Sequence, residues 1–178
     1  MFACVGKLKE WTGKTSATIV YDSDVDEFTD DTLFEKVKGK PNIAVVGFTT
    51  DGDVFGGFFR FAVDRQGQYF HDPTMFVFSF ESRGRCETPQ RFMVKKEEFR
   101  LRTVVGFIWK NSSNGFVNFW VNYAGGFCLG NEKSNSYCCD MSCGFEGLDD
   151  TTLTGQNNTD CDFPPYHHCT RLVAVLFE

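Results

Sequence analysis

The run Met75–Phe80 reads MFVFSF, and its strict alternation constrains the fold more than any other stretch. Successive side chains of an extended chain point to opposite faces, so Phe76, Phe78 and Phe80 share one face. Met75, Val77 and Ser79 share the other. Phenylalanine occurs 21 times in the chain, and its ring suits the half-buried pleated surface of a sheet. Further short runs of β type are Ser16–Tyr21, Ile43–Phe48, Val54–Val63, Thr103–Trp109, Gly115–Tyr123, Gly126–Leu129 and Leu172–Phe177.

The punctuation between these runs is specific. Thr50-Asp51-Gly52-Asp53 predicts a tight hairpin, with Val54–Val63 as the return strand. The pair Gly56-Gly57 inside that strand predicts a bulge or a close backbone approach. The strongly apolar Leu172–Phe177 is expected inside a sheet, which ties the C-terminus to the core. One helix stands out: Leu33, Phe34 and Val37 fall on one helical face, Thr29 or Asp30 serves as N-cap, and Gly39 and Pro41 stop it. Arg83–Arg91 and Leu153–Tyr166 read as polar loop. The expected fold is α+β and β-rich: a two-sheet antiparallel β-sandwich with a few peripheral helices, one domain over residues 1–178.

Charge is unevenly spread. The stretch YDSDVDEFTDD (Tyr21–Asp31) holds Asp22, Asp24, Asp26, Glu27, Asp30 and Asp31. Those six negative charges equal the net charge of −6, so the rest of the chain sums to about zero. Nucleic acid is therefore not an expected partner, since phosphate binding needs a net basic face. No apolar run is long enough to insert into a membrane, and the N-terminus lacks the apolar segment of a signal peptide. The expected compartment is cytoplasmic.

Several constellations could carry chemistry. Asp22-x-Asp24-x-Asp26 starts like a calcium loop, but the sixth position is Glu27 rather than glycine and the twelfth is Leu33 rather than glutamate. The blander reading is a solvated turn that caps the following helix. Cys138, Cys139 and Cys143 lie upstream of Cys161 and His167-His168-Cys169. Their spacing lacks the paired pattern of a zinc site, so no metal is assigned, and buried free thiols are preferred. Cys138, Cys139 and Cys143 remain the candidates for redox chemistry if exposed. Arg83, Arg85, Arg91, Lys95, Lys96, Arg100 and Arg102 give Arg83–Arg102 a net charge of +4 against its three glutamates. They are a mixed-charge surface or a docking site for an acidic partner. No nucleophile elbow, P-loop or dinucleotide fingerprint is present; no catalytic residue and no cofactor are assigned.

The landmarks combine into a family resemblance. Trp11-Thr12-Gly13, the run from Ile19 to Asp26, and Leu33-Phe34-x-Lys36 resemble the start of a TLDc domain. Asn42–Val46 with Asp51–Phe58 looks like that family's hairpin, and Phe76–Phe80 is similar to its next core strand. Gly125–Leu129 looks like a shortened form of its glycine-rich strand, Cys143-Gly144-Phe145 stands near its Ser/Cys-Thr-Phe element, and Leu172–Phe177 resembles its closing strand. The resemblance covers about residues 8–178 and is tighter in the first half. It implies a β-sandwich without a catalytic centre, an interaction module tied to oxidative-stress protection and to the vacuolar-type proton ATPase. The alternatives kept beside it are a thiol-based redox sensor and a stress-response nucleic-acid binder. Lys133–Cys139 replaces the family's serine-rich loop. The chain reads as a stand-alone domain.

Overall fold

Alternating apolar runs need two faces to bury against, and a pair of stacked antiparallel sheets supplies them. The computed structural model describes residues 2–96, 103–107, 116–121, 125–131, 133, 136–156 and 166–178. In chain order the elements are α1 (Phe2–Thr12), β1 (Ala17–Asp22), α2 (Asp30–Val37), β2 (Ile43–Thr49) and β3 (Val54–Phe59). Next come β4 (Tyr69–His71), β5 (Phe76–Glu81), β6 (Gln90–Met93), β7 (Thr103–Phe107) and β8 (Val117–Val121). The last are β9 (Gly125–Leu129), β10 (Ser136–Cys139), α3 (Met141–Gly144), β11 (Tyr166–His167) and β12 (Cys169–Phe177). One sheet has the order β1-β12-β2-β3-β5-β6, the other β11-β10-β9-β8-β7-β4.

The apolar closing strand β12 lies between β1 and β2, antiparallel to both, as its composition requires. The alternation in β5 also holds. Met75 and Val77 face the inter-sheet core, with Val45, Phe55, Phe59, Phe119 and Phe127. Phe76 and Phe78 face outward with Ala44, Val46, Phe58, Val173, Val175 and Phe177. That outer surface needs a cover, and Leu8 and Trp11 of α1 provide it. Trp11 stacks on Phe80 at 5.7 Å and meets Phe76 edge-on at 6.3 Å.

Gly56 and Gly57 resolve as a close approach. A Cβ on Gly56 would lie 1.9 Å from the Val45 carbonyl oxygen, and one on Gly57 would lie 2.3 Å from the Phe119 ring. The irregularity in β3 sits just before them, where pairing with β5 shifts between Val54 and Phe55.

Some boundaries differ from expectation. The return strand ends at Phe59, not Val63, because the Arg60 N–H donates to the Asp72 carboxylate at 2.6 Å instead of continuing the ladder. The polar segment Arg83–Arg91 runs into β6 at Gln90, and Leu153–Tyr166 meets β11 at Tyr166. Helix α1 was not expected at all. Helix α2 was: Thr29 is its N-cap, accepting from the Thr32 N–H at 3.3 Å, with Asp30 and Asp31 in the first turn.

Candidate interaction site

One end of the sandwich gathers the β2–β3 hairpin, the acidic link before α2, the segment after β9 and the passage from β11 to β12. The hairpin is tight because Thr49 closes it. Its N–H donates to the Asp53 carbonyl, its hydroxyl accepts from the Asp53 N–H at 3.1 Å, and Gly52 takes a φ of 89°. This folds Asp53 inward until it is 1% exposed.

A buried carboxylate needs cations. Arg83 reaches Asp53 with Nε and Nη2, each at 3.2 Å, and Arg85 reaches it with Nη2. The same guanidinium groups donate to three loop carbonyls: Arg83 to Thr154 at 3.1 Å, Arg85 to Thr152 at 3.0 Å and to Leu153 at 2.9 Å. Asp53 and its two arginines thus staple residues 152–154 to the hairpin. Two expected partner-binding residues are engaged inside the molecule.

Arg91 is engaged too. It donates to the Trp11 carbonyl at 2.7 Å and lies 5.7 Å from the centre of the Phe76 ring. A cation there also suits the negative C-terminal end of α1. Lys95 is half-buried and its N–H donates to the Gly144 carbonyl, Lys96 is exposed, and Arg100 and Arg102 lie outside the described residues.

The cysteine candidates separate in the same way. Cys138 is fully buried, which pushes its thiol well above the ordinary value. Cys139 is buried and joined in a disulfide, which corrects the expectation of a free thiol. Cys143 on α3 is exposed and free. Cys161 lies outside the described residues. No group of three or more His, Cys, Asp or Glu among the described residues could hold a metal ion.

The carboxylates of the acidic link have structural duties. Arg171 of β12 holds Asp22 through Nε at 2.9 Å and also through Nη2, and it reaches Asp24 at 3.0 Å. Asp26 accepts from the Asp22 N–H at 3.0 Å and from Lys36 at 2.6 Å. The hydrogen bond from Arg171 holds Asp22 below its ordinary pKa, and that from Lys36 does the same for Asp26. The link is a capped structural joint between β1 and α2.

His167 crosses at this end. It is 5% exposed, neither ring nitrogen has a hydrogen-bond partner among the described residues, and Phe55 packs against it at 5.5 Å. Burial lowers its pKa to about 4, against the opposing pull of Asp53 and Asp51. Such a histidine is a neutral packing residue at ordinary pH.

Beside it opens a cleft of about 930 Å³, lined by Glu27, Phe28, Thr29, Thr50, Asn131, Lys133, His168, Cys169 and Thr170. Two hydrogen bonds brace its walls: Asn131 Nδ2 to the Phe28 carbonyl at 3.0 Å, and the Thr50 N–H to the His168 carbonyl at 3.0 Å. The walls mix an acid, a base and polar side chains with the apolar Phe28 and Cys169. That chemistry suits a polypeptide segment held by hydrogen bonds. Sequence reasoning missed the cleft because four distant segments build it. The nearest signals were the acidic link and the altered segment beginning at Lys133.

A family model for the TLDc domain matches residues 6–162. No curated protein matches the chain.

Proposed function

The chain belongs to the TLDc domain family, whose domains are protein-interaction modules, and from this premise we propose that it works as a non-enzymatic module binding the vacuolar-type proton ATPase. The family match carries the reading; the braced cleft at the loop end supplies a place for the contact. Its polar groups suit recognition more than bond-breaking. Thr29 is bound into the cap of α2, and the Cys169 thiol, whose pKa burial pushes up to about 12, donates to the Arg171 carbonyl at 3.2 Å. The module would act from the cytoplasmic side; no helix among the described residues is long and apolar enough to cross a membrane.

The test is co-sedimentation of the protein with isolated vacuolar-type ATPase, together with ATP hydrolysis. The reading expects binding that changes activity and is weakened by Lys133→Glu at the cleft wall. No co-sedimentation at micromolar protein overturns the choice of partner. The thiol reading keeps only Cys143, which is exposed and free, because Cys138 is sealed in the core and Cys139 is already bonded. Nucleic-acid binding rested on the basic stretch, whose Arg83, Arg85 and Arg91 serve internal contacts.

A further inference from the structure

Strand β1 forms an edge of its sheet, and its hydrogen-bond phase can be followed residue by residue. Ser16 and Glu178 exchange both backbone bonds, Ser16 N–H to Glu178 O at 3.0 Å and Glu178 N–H to Ser16 O at 3.3 Å. The Phe177 N–H points the other way, to the Asn42 carbonyl. Antiparallel ladders alternate with period two. Thr18, opposite Leu176, is therefore in the bonded phase. Ala17 and Ile19, opposite Phe177 and Val175, turn their N–H and C=O groups away from the sheet. Among the described residues, no hydrogen bond takes up those groups.

The slot has a defined end. The register shifts between Ile19 and Tyr21, so Val20 is an extra residue. Past it, Asp22 faces the free side, and there its N–H goes to the Asp26 carboxylate while its C=O accepts from Val25 and Asp26. The acidic link thus folds back onto the open edge and closes it beyond Ile19. Beside the slot stand two exposed apolar side chains, Ile19 at 48% and Val25 at 85%.

We propose that the Ala17–Ile19 edge is a strand-addition site for an extended, basic segment of a protein partner. This rests on the interaction-module reading above and adds a second contact beside the cleft. Two outward residues offer two N–H and two C=O groups, enough to anchor a short strand. An apolar residue of the incoming strand would cover Ile19. Charge selects the sign of the segment. The link carries six carboxylates, answered by Arg171 and Lys36. Glu27 and Asp30 have no ion-pair partner among the described residues. A second copy of the chain is disfavoured as occupant, because each carries a net charge of −6.

The experiment uses the whole protein and three capped seven-residue peptides. One alternates valine with lysine, one has glutamate for lysine, and one is the lysine peptide N-methylated on every amide, which removes the donors of both its edges. Amide exchange is read by NMR. The proposal expects the lysine peptide to slow exchange at Ala17 and Ile19 at least tenfold. It expects at least tenfold weaker binding of the glutamate peptide at low salt, and loss of binding on N-methylation. Ile19→Pro removes one outward N–H without touching the ladder to β12, and binding should disappear. The N-methyl arm needs no variant, so it decides the matter if that protein fails to fold.

Peptide binding that leaves both amides unprotected overturns the proposal. So does equal binding by Ile19→Pro, no binding at millimolar peptide, or protection that grows with protein concentration alone. Pump co-sedimentation that survives Ile19→Pro unchanged sinks the edge but leaves the module reading. Peptide pairing without any pump binding does the reverse.

Discussion

His167 should make this protein acid-sensitive through a single buried ring. Its pKa falls from 6.5 to about 4 on folding, mainly by burial. The unfolded chain therefore binds this proton at higher pH than the folded one. Stability is complete above about pH 6.5 and is lost as pH falls towards 4. Each pKa unit is worth about 1.4 kcal/mol. The loss reaches about 2 kcal/mol by pH 5 and about 3 kcal/mol by pH 4. His167→Phe keeps a flat ring against Phe55 and removes the titration. Urea unfolding of both proteins at pH 7.5 and pH 5 isolates the effect, because every other titrating group is common to both. Wild type should lose about 2 kcal/mol more than the variant, a relative midpoint shift of roughly 1 M urea. Any change in absolute stability from the substitution is common to both pH values, so the difference in slope belongs to the ring. Parallel slopes for the two proteins would refute the claim that a neutral, unpartnered imidazole sits in this core.

The other predictions concern the same framework. Asp53→Ala leaves two guanidinium groups without their carboxylate; removing one partner of a buried ion pair costs about 3–5 kcal/mol, and the partial exposure of Arg83 and Arg85 places this one at about 2–3. Amides of residues 152–155 should lose hydrogen-exchange protection with it, and a cost below about 0.5 kcal/mol would show that the staple is cosmetic. Gly57→Ala should cost about 1–3 kcal/mol in thermal or urea unfolding, because the new Cβ meets the Phe119 ring at 2.3 Å. Ser79→Ala should stabilise by about 1 kcal/mol, since the buried Ser79 hydroxyl has no hydrogen-bond partner among the described residues; a loss of stability would reveal a bound water there.

What the sequence made legible was whatever repeats locally. Alternation marked β5, a β-branched run marked β2, and Thr29 announced α2 by the chemistry of its own side chain. Short edge elements were harder. Strands β4 and β6 have three and four residues, with exposed positions that break the apolar pattern. Helix α1 was missed because its role is to cover an apolar outer surface on β2, β3, β5 and β12, and that demand is written in other segments. The staple shows the same limit. Asp53 reads as a turn residue and Arg83-Gly84-Arg85 as surface, until hairpin closure buries the carboxylate and the two meet 30 residues apart. The cleft draws on positions from Glu27 to Thr170, so no single stretch could announce it.

The acidic stretch shows how a fold sorts charges that look alike in sequence. Asp22, Asp24 and Asp26 are drawn onto Arg171 and Lys36, and the first of these cations comes from the interior strand β12. Because that strand is anchored on both sides, the link is held to the core rather than left to solvent. Glu27 is not drawn in; it lines the cleft. The same joint therefore limits the open edge at Asp26 and faces the cleft at Glu27. Arg171 also lies over the Phe48 ring at 5.6 Å, so its replacement by Met keeps much of that packing while freeing two carboxylates. Its pair with Asp22 is partly exposed, which limits the stability cost to about 1 kcal/mol. Partner binding should change by more than that, because both candidate surfaces depend on where the link lies. Arg171→Met that binds the pump and the lysine peptide as wild type does would show that neither contact uses this joint.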